Sequence, residues 1–114
     1  MDIKHIILAG DSAGGHLAVS VSMLAAIRGF RMPDGIMALY PVLTLDQQRF
    51  FPSSLLAIDD NLLSQPFMNM FYACMLRNSP KTSPILSPLL ASHKLLNLLP
   101  QMRMFACELD CLRD

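Results

Sequence analysis

Ser12 stands in the run Gly10-Asp11-Ser12-Ala13-Gly14-Gly15, and no other part of the chain has spacing so suited to covalent chemistry. A serine hydroxyl attacks poorly until a base takes its proton, so reactive serines are recognised by how they are presented. Here the apolar stretch His5-Ile6-Ile7-Leu8-Ala9 precedes the glycines and a helix-favouring stretch follows them. Strand, Gly-x-Ser-x-Gly, helix is a nucleophile elbow: the serine sits on a sharp turn with its hydroxyl above the sheet edge. Such a turn crowds the helix against the strand, and Gly10 and Gly14 are expected to remove the Cβ atoms that would collide. The N–H groups from Ala13 onward open the helix and point at an oxyanion forming near Ser12. Asp11 is expected to be structural, holding the turn by hydrogen bonds. Other glycine-rich chemistries do not fit. There is no Gly-Lys-Ser/Thr for a phosphate loop and no G-x-G-x-x-G for a dinucleotide.

The segment Ile6-Ile7-Leu8-Ala9-Gly10-Asp11-Ser12-Ala13-Gly14-Gly15-His16-Leu17-Ala18 resembles the serine signature of the hormone-sensitive lipase family, the GDXG lipolytic enzymes of the α/β-hydrolase superfamily. Pro33-Asp34-Gly35-Ile36-Met37-Ala38-Leu39-Tyr40-Pro41, Pro52-Ser53-Ser54-Leu55-Leu56 and the stretch from Ser83 through Pro84 and Pro88 to Ala91 resemble its later segments. Glu108-Leu109-Asp110-Cys111-Leu112-Arg113-Asp114 is similar to its acid motif, D-P-L-R-D, with Cys111 in place of the proline. The resemblance implies part of an α/β-hydrolase catalytic domain over residues 1–114, from elbow to acid motif. Upstream strands, an H-G-G-G oxyanion segment and the final strand with its histidine would lie outside the chain.

In α/β-hydrolases the triad follows the chain order serine, acid, histidine. Asp110 comes after the last apolar run, at the carboxyl end of a strand, where it could orient an imidazole. The resemblance assigns the acid to Asp110; Glu108 and Asp114 are outside candidates. His5, His16 and His93 all precede Asp110, break that order, and are expected to be structural or surface residues. The chain thus carries Ser12 and Asp110 without a base, and is expected to be inactive alone.

The elements that must position these residues follow from the apolar pattern. Residues 4–9 read as a buried parallel strand ended by Gly10. Residues 13–27 read as a helix apolar all round and so expected to be buried on most sides, closed by Gly29 and Pro33. Residues 36–40 read as a second strand stopped by Pro41, and residues 42–61 as irregular. Pro66 opens a helix over 67–76, a short cap-like segment around 62–77. Its Phe67, Met68, Met70, Phe71 and Met75 make either core or an acyl-binding wall. A Pro/Ser-rich connector runs from 78 to 88, a turn from 97 to 100, and a third strand from 103 to 107. Strands separated by helices mean an α/β fold with a mostly parallel sheet.

At 114 residues the chain is at most one domain, and 53% hydrophobic residues suffice for a core. Zero net charge indicates no polyanionic partner, and scattered basic residues argue against nucleic acid. Cys74, Cys107 and Cys111 have no paired spacing, so free thiols in a reducing compartment are expected. No metal or organic cofactor is implied. No signal peptide is expected, and the longest apolar stretch is too short for a bilayer. The expected setting is cytoplasmic, with a lipid-droplet surface and a homodimer as further candidates. The resemblance implies serine hydrolysis of lipid carboxylic esters: acylglycerols, cholesteryl or retinyl esters. A small-ester carboxylesterase or deacetylase, and a non-catalytic hydrolase-like binding protein, are the alternatives.

Overall fold

The computed structural model describes residues 4–46, 51–56, 58–77, 79–80 and 82–114. Three apolar runs become β1 (Ile7–Asp11), β2 (Gly35–Leu39) and β3 (Gln101–Phe105), one parallel sheet in the order β1-β2-β3. Between them lie α1 (Ala13–Arg28), α2 (Pro52–Leu56), α3 (Gln65–Leu76), a 3-10 turn (Pro88–Leu90) and α4 (His93–Leu96). Parallel neighbours need long crossovers, and these helices supply them.

The sheet fixes where chemistry can be placed. Asp11, Leu39 and Phe105 form its last rung. Two backbone bonds carry the ladder one residue further: Ser12 N–H to Leu39 O (2.9 Å) and Tyr40 N–H to Phe105 O (2.6 Å). At the opposite edge, Asp34 closes the start of β1. Its N–H reaches Ile6 O at 2.7 Å, and its Oδ2 accepts Ile6 N–H at 2.7 Å.

β1 corrects the expected strand over 4–9. It starts later and runs through Gly10 and Asp11, because Ala38 and Leu39 continue the ladder opposite them. Glycine is no stop signal where both neighbours remain paired. Nor is β1 buried: Ile7 is 69% exposed, and on the same face Met37 and Phe105 are also exposed. β3 begins at Gln101, two residues before the expected start, where Gly35 pairs with it.

Helix α1 covers the other face. Ala18, Val19 and Met23 pack on Ile36 and Ala38 in the main core. The expectation of burial on most sides does not hold. Leu17, Val21, Leu24 and Ile27 form an exposed apolar row, three and four residues apart along one side. Gly29 ends the helix at φ 66, the left-handed conformation that glycine adopts without strain.

A second core joins Val42, Leu45 and Leu76, with Phe71, Tyr72, Leu86 and Leu112 against it. It binds the chain leaving β2 to α3 and to the residues after β3. The connector is fastened too: Leu45 N–H donates to Ser87 Oγ (3.0 Å) and Leu89 N–H to Leu43 O (3.0 Å). Asn78 and Lys81 of that connector, and residues 47–50 and 57 of the expected irregular stretch, lie outside the described residues. The irregular stretch also hides α2, whose first residue is Pro52. Proline fits a helix start, because its missing N–H has no intrahelical role there.

Candidate active site

Ser12 joins β1 directly to α1 with φ 48 and ψ −115. A non-glycine residue in this region carries about 1–3 kcal/mol of strain and persists only where its surroundings over-determine it. Here they do. Its N–H is held by Leu39 O, and its own carbonyl accepts His16 N–H at 3.1 Å. Its side chain makes no capping bond to α1, so the helix does not consume the hydroxyl.

The glycines explain how closely α1 can approach. A Cβ on Gly10 would lie 2.4 Å from the Gly14 carbonyl carbon and oxygen, a distance no side chain occupies. A Cβ on Gly14 would meet only Asp11 Oδ1, at an ordinary 3.7 Å. The second crowded position is Gly15, whose Cβ would stand 3.0 Å from Pro41 Cβ and 3.1 Å from Gly10 O. The steric reason given for Gly14 therefore belongs to Gly15. Asp11 is exposed, and the turn is secured by the backbone bonds of Ser12. Ala13, also exposed, is the first residue of α1. Its N–H is one of the donors that a helix start leaves without an intrahelical acceptor.

Asp110 lies in a turn beyond β3, half-buried. Its N–H donates to Cys107 O (3.3 Å), its carbonyl accepts Arg113 N–H (3.1 Å), and its Oδ1 accepts Leu112 N–H (2.8 Å). Burial first, then the negative charges of Asp110 and Asp60, pushes the Cys111 thiol above its ordinary value, so it stays protonated beside Asp110. Asp114 is committed elsewhere: Oδ2 accepts Ser53 N–H at 2.7 Å, and Oδ1 accepts Arg113 Nε at 3.2 Å. Glu108 is exposed.

Ser12 and Asp110 thus follow the carboxyl ends of two strands of one sheet, separated by β2. Two inter-strand spacings put those strand ends ~10 Å apart. None of the three histidines bridges them. His5 lies before β1, at the far edge, with Nδ1 3.8 Å from the Asp34 carboxylate. His93 is exposed at the start of α4. His16 is 5% exposed, and Nδ1 lies 2.7 Å from Val42 O, so that nitrogen carries the proton. Its Nε2 lies 3.3 Å from Ser20 Oγ, but the Ser20 proton goes to Ile85 O at 2.7 Å, so the bonds that hold here are Nδ1–H to Val42 O and Ser20 Oγ–H to Ile85 O. They pin α1 to the segments after β2 and after α3.

A cleft of about 220 Å³ adjoins the Asp110 turn, lined by Pro41, Ser54, Tyr72, Met104, Cys111 and Leu112 among others. The residues singled out on α3 do not line it. Met68 is buried and Phe71 packs in the second core, while Phe67, Met70 and Met75 are exposed. One lining residue that sequence reasoning missed is Tyr72, one position from Phe71. Burial raises its hydroxyl above the ordinary value of 10.0, keeping it neutral. Among the described residues no group of three or more His, Cys, Asp or Glu could hold a metal ion. Among the same residues, no helix is long and apolar enough to cross a membrane.

A family model described as alpha/beta hydrolase fold matches residues 1–114. Over 60 residues, 53% of this chain, the sequence is 58% identical to hormone-sensitive lipase of Mus musculus and 53% identical to that of Homo sapiens. Those stretches are 8% and 6% of the two relatives. Among solved structures, a hormone-sensitive lipase from a metagenome library matches with TM-score 0.80 and 31% identity. Carboxyl esterase 2 from the fungus Tuber melanosporum matches with TM-score 0.84 and 26% identity. Both matches cover 94% of this chain and 35% of the other, so the chain spans about a third of its solved relatives.

Proposed function

The chain belongs to the alpha/beta hydrolase fold family, and from that premise we propose that it forms part of the catalytic domain of a serine hydrolase acting on lipid carboxylic esters. One observation carries the reading most directly: Ser12, at φ 48, is placed by backbone bonds at the sheet edge with its hydroxyl outside the helix cap. Ser12 Oγ attacks the ester carbonyl and gives its proton to a histidine. The carbonyl oxygen becomes an oxyanion that accepts a hydrogen bond from Ala13 N–H. The alcohol leaves with the proton from the imidazolium, and an acyl-serine remains. Water, deprotonated by the same histidine, releases the acid. Asp110 holds that imidazole and stabilises its charged form. His5, His16 and His93 are otherwise placed, so the base comes from outside residues 1–114. The domain runs from elbow to acid turn, with residues 62–77 as a cap-like segment, and needs neither metal nor organic cofactor.

Similarity to hormone-sensitive lipases supports the lipid ester. The structural match to a carboxyl esterase favours a second reading, a small-ester carboxylesterase. The test uses the full-length protein. A fluorophosphonate probe should label Ser12, and Ser12→Ala should abolish labelling and turnover. Labelling that persists at another residue overturns the nucleophile, and a protein that neither labels nor turns over any ester is a binding protein. Comparing kcat/KM on an acylglycerol emulsion and on a nitrophenyl acetate separates the two enzyme readings. Residues 1–114 alone should show no turnover above their Ser12→Ala control.

A further inference from the structure

We infer that Ser53 and Asp114 form a strap that positions Asp110, an inference resting on the proposed role of Asp110 as triad acid. Asp110 has no strand or helix to hold it; it sits in a turn between Cys107 and Arg113. Turns of this kind are mobile unless long-range bonds tie them down. Here the ties come from one residue 57 or more positions upstream. Ser53 is 2% exposed. Its Oγ–H donates to Cys111 O at 3.0 Å, and its N–H donates to Asp114 Oδ2 at 2.7 Å. The two acceptors lie one and four residues after Asp110, so a single buried serine brackets the turn.

Arg113 closes the other side. Its Nε donates to Asp114 Oδ1 at 3.2 Å, and its Nη1 donates to Glu108 O at 2.9 Å. Residues before and after Asp110 are thereby joined across it. The Asp114 carboxyl is held below its ordinary value of 3.8, first by the Ser53 N–H, against the opposing effect of burial, with the Arg113 side chain lowering it further. It is therefore ionised at neutral pH, the state that accepts both donors.

The consequence is a division of labour between two aspartates three residues from Arg113 and next to it. Asp110 faces the base, and Asp114 fixes the turn that aims it. The strap also couples the acid to α2, whose Ser54 lines the cleft beside Cys111 and Leu112. A substrate group entering that cleft would press on the elements that hold the acid.

The experiment measures kcat, KM and the pH profile of kcat/KM for the full-length protein and four variants. Asp114→Ala should lower kcat by ~10- to 100-fold with KM changed less than threefold, because misplacing a catalytic group slows the step without weakening binding. The acid limb of the profile should move to lower pH, since a loosely held Asp110 stabilises the imidazolium less. Asp114→Asn keeps one oxygen for Ser53 N–H and should recover most of the rate. Ser53→Ala, nearly isosteric, removes the bond to Cys111 O and should shift the limb the same way. It serves if Asp114→Ala does not fold. An unmoved acid limb in Ser53→Ala, or Asp114→Ala with normal kcat and only a lower melting temperature, overturns the strap. Asp110→Asn distinguishes the failures. If it is inactive while the strap variants are normal, only this inference fails. If it is active, the acid assignment itself fails.

Discussion

The two halves of the candidate site are held by different means. On the Ser12 side, the backbone does the work: a parallel ladder runs into the turn, and Gly10 and Gly15 let α1 close on it. On the Asp110 side, side chains do it: Ser53 and Asp114 join segments 61 positions apart, and Arg113 closes the turn locally on Glu108 O. A backbone device is local and tolerates almost no atom added to it. A side-chain device is assembled late and fails by degrees. Substitutions on the first side should thus be all-or-none, and those on the second graded.

The sharpest challenge to that contrast is Gly10→Ala. Its methyl would lie 2.4 Å from the Gly14 carbonyl. Loss of on the order of 4 kcal/mol or more, with no soluble active protein, is expected. Gly14→Ala, with only a 3.7 Å contact, should express and melt near the parent temperature. If the two alanines behave alike by thermal melting, the backbone account of the elbow is wrong.

Next in size is Asp110→Asn, expected to lower turnover of the full-length protein by about 10⁴-fold without changing its circular dichroism. If Asp114→Asn produces that loss instead, the roles of the two aspartates are reversed.

His16→Leu tests a side-chain clasp on the elbow's own helix. It leaves Val42 O without its donor in a buried place, and should cost about 1–3 kcal/mol by denaturant unfolding. No measurable loss would mean that the bond contributes nothing beyond filling space.

The smallest expected effect is the acid response. The Asp114 and Asp34 carboxyls are both held below 3.8 when folded, chiefly by the N–H groups of Ser53 and Ile6. A depressed folded value means stability present above the unfolded value and lost as pH falls through the folded one. Stability should therefore decline below about pH 4, and Asp114→Asn should flatten that decline. A decline that is instead centred near pH 6 would point to a histidine.

What was legible in the sequence follows the same division. The elbow could be read because its requirements fall within six consecutive residues. Even so, the second crowded glycine, after Gly10, is Gly15 rather than Gly14, since its neighbour Pro41 is 26 positions away and arrives through the sheet. β1 was read short because Gly10 looked like an end, whereas pairing with Ala38 carries the strand through it. α2 spans only five residues, too few for a helical period to show in the sequence. Ser53 and Asp114 meet across 61 positions with no shared pattern to announce them.

The uncovered faces of the sheet and of α1 bear on how the chain would unfold. It exposes 7889 Å², whereas a compact 12.7 kDa monomer exposes about 6,200 Å². Melting or denaturing residues 1–114 would thus wet less new surface than is usual for that mass. Both the heat-capacity increment and the urea slope scale with newly wetted area. The chain by itself should give a broad, shallow transition, and its free-energy curve against temperature should be flatter than that of a closed domain of equal length.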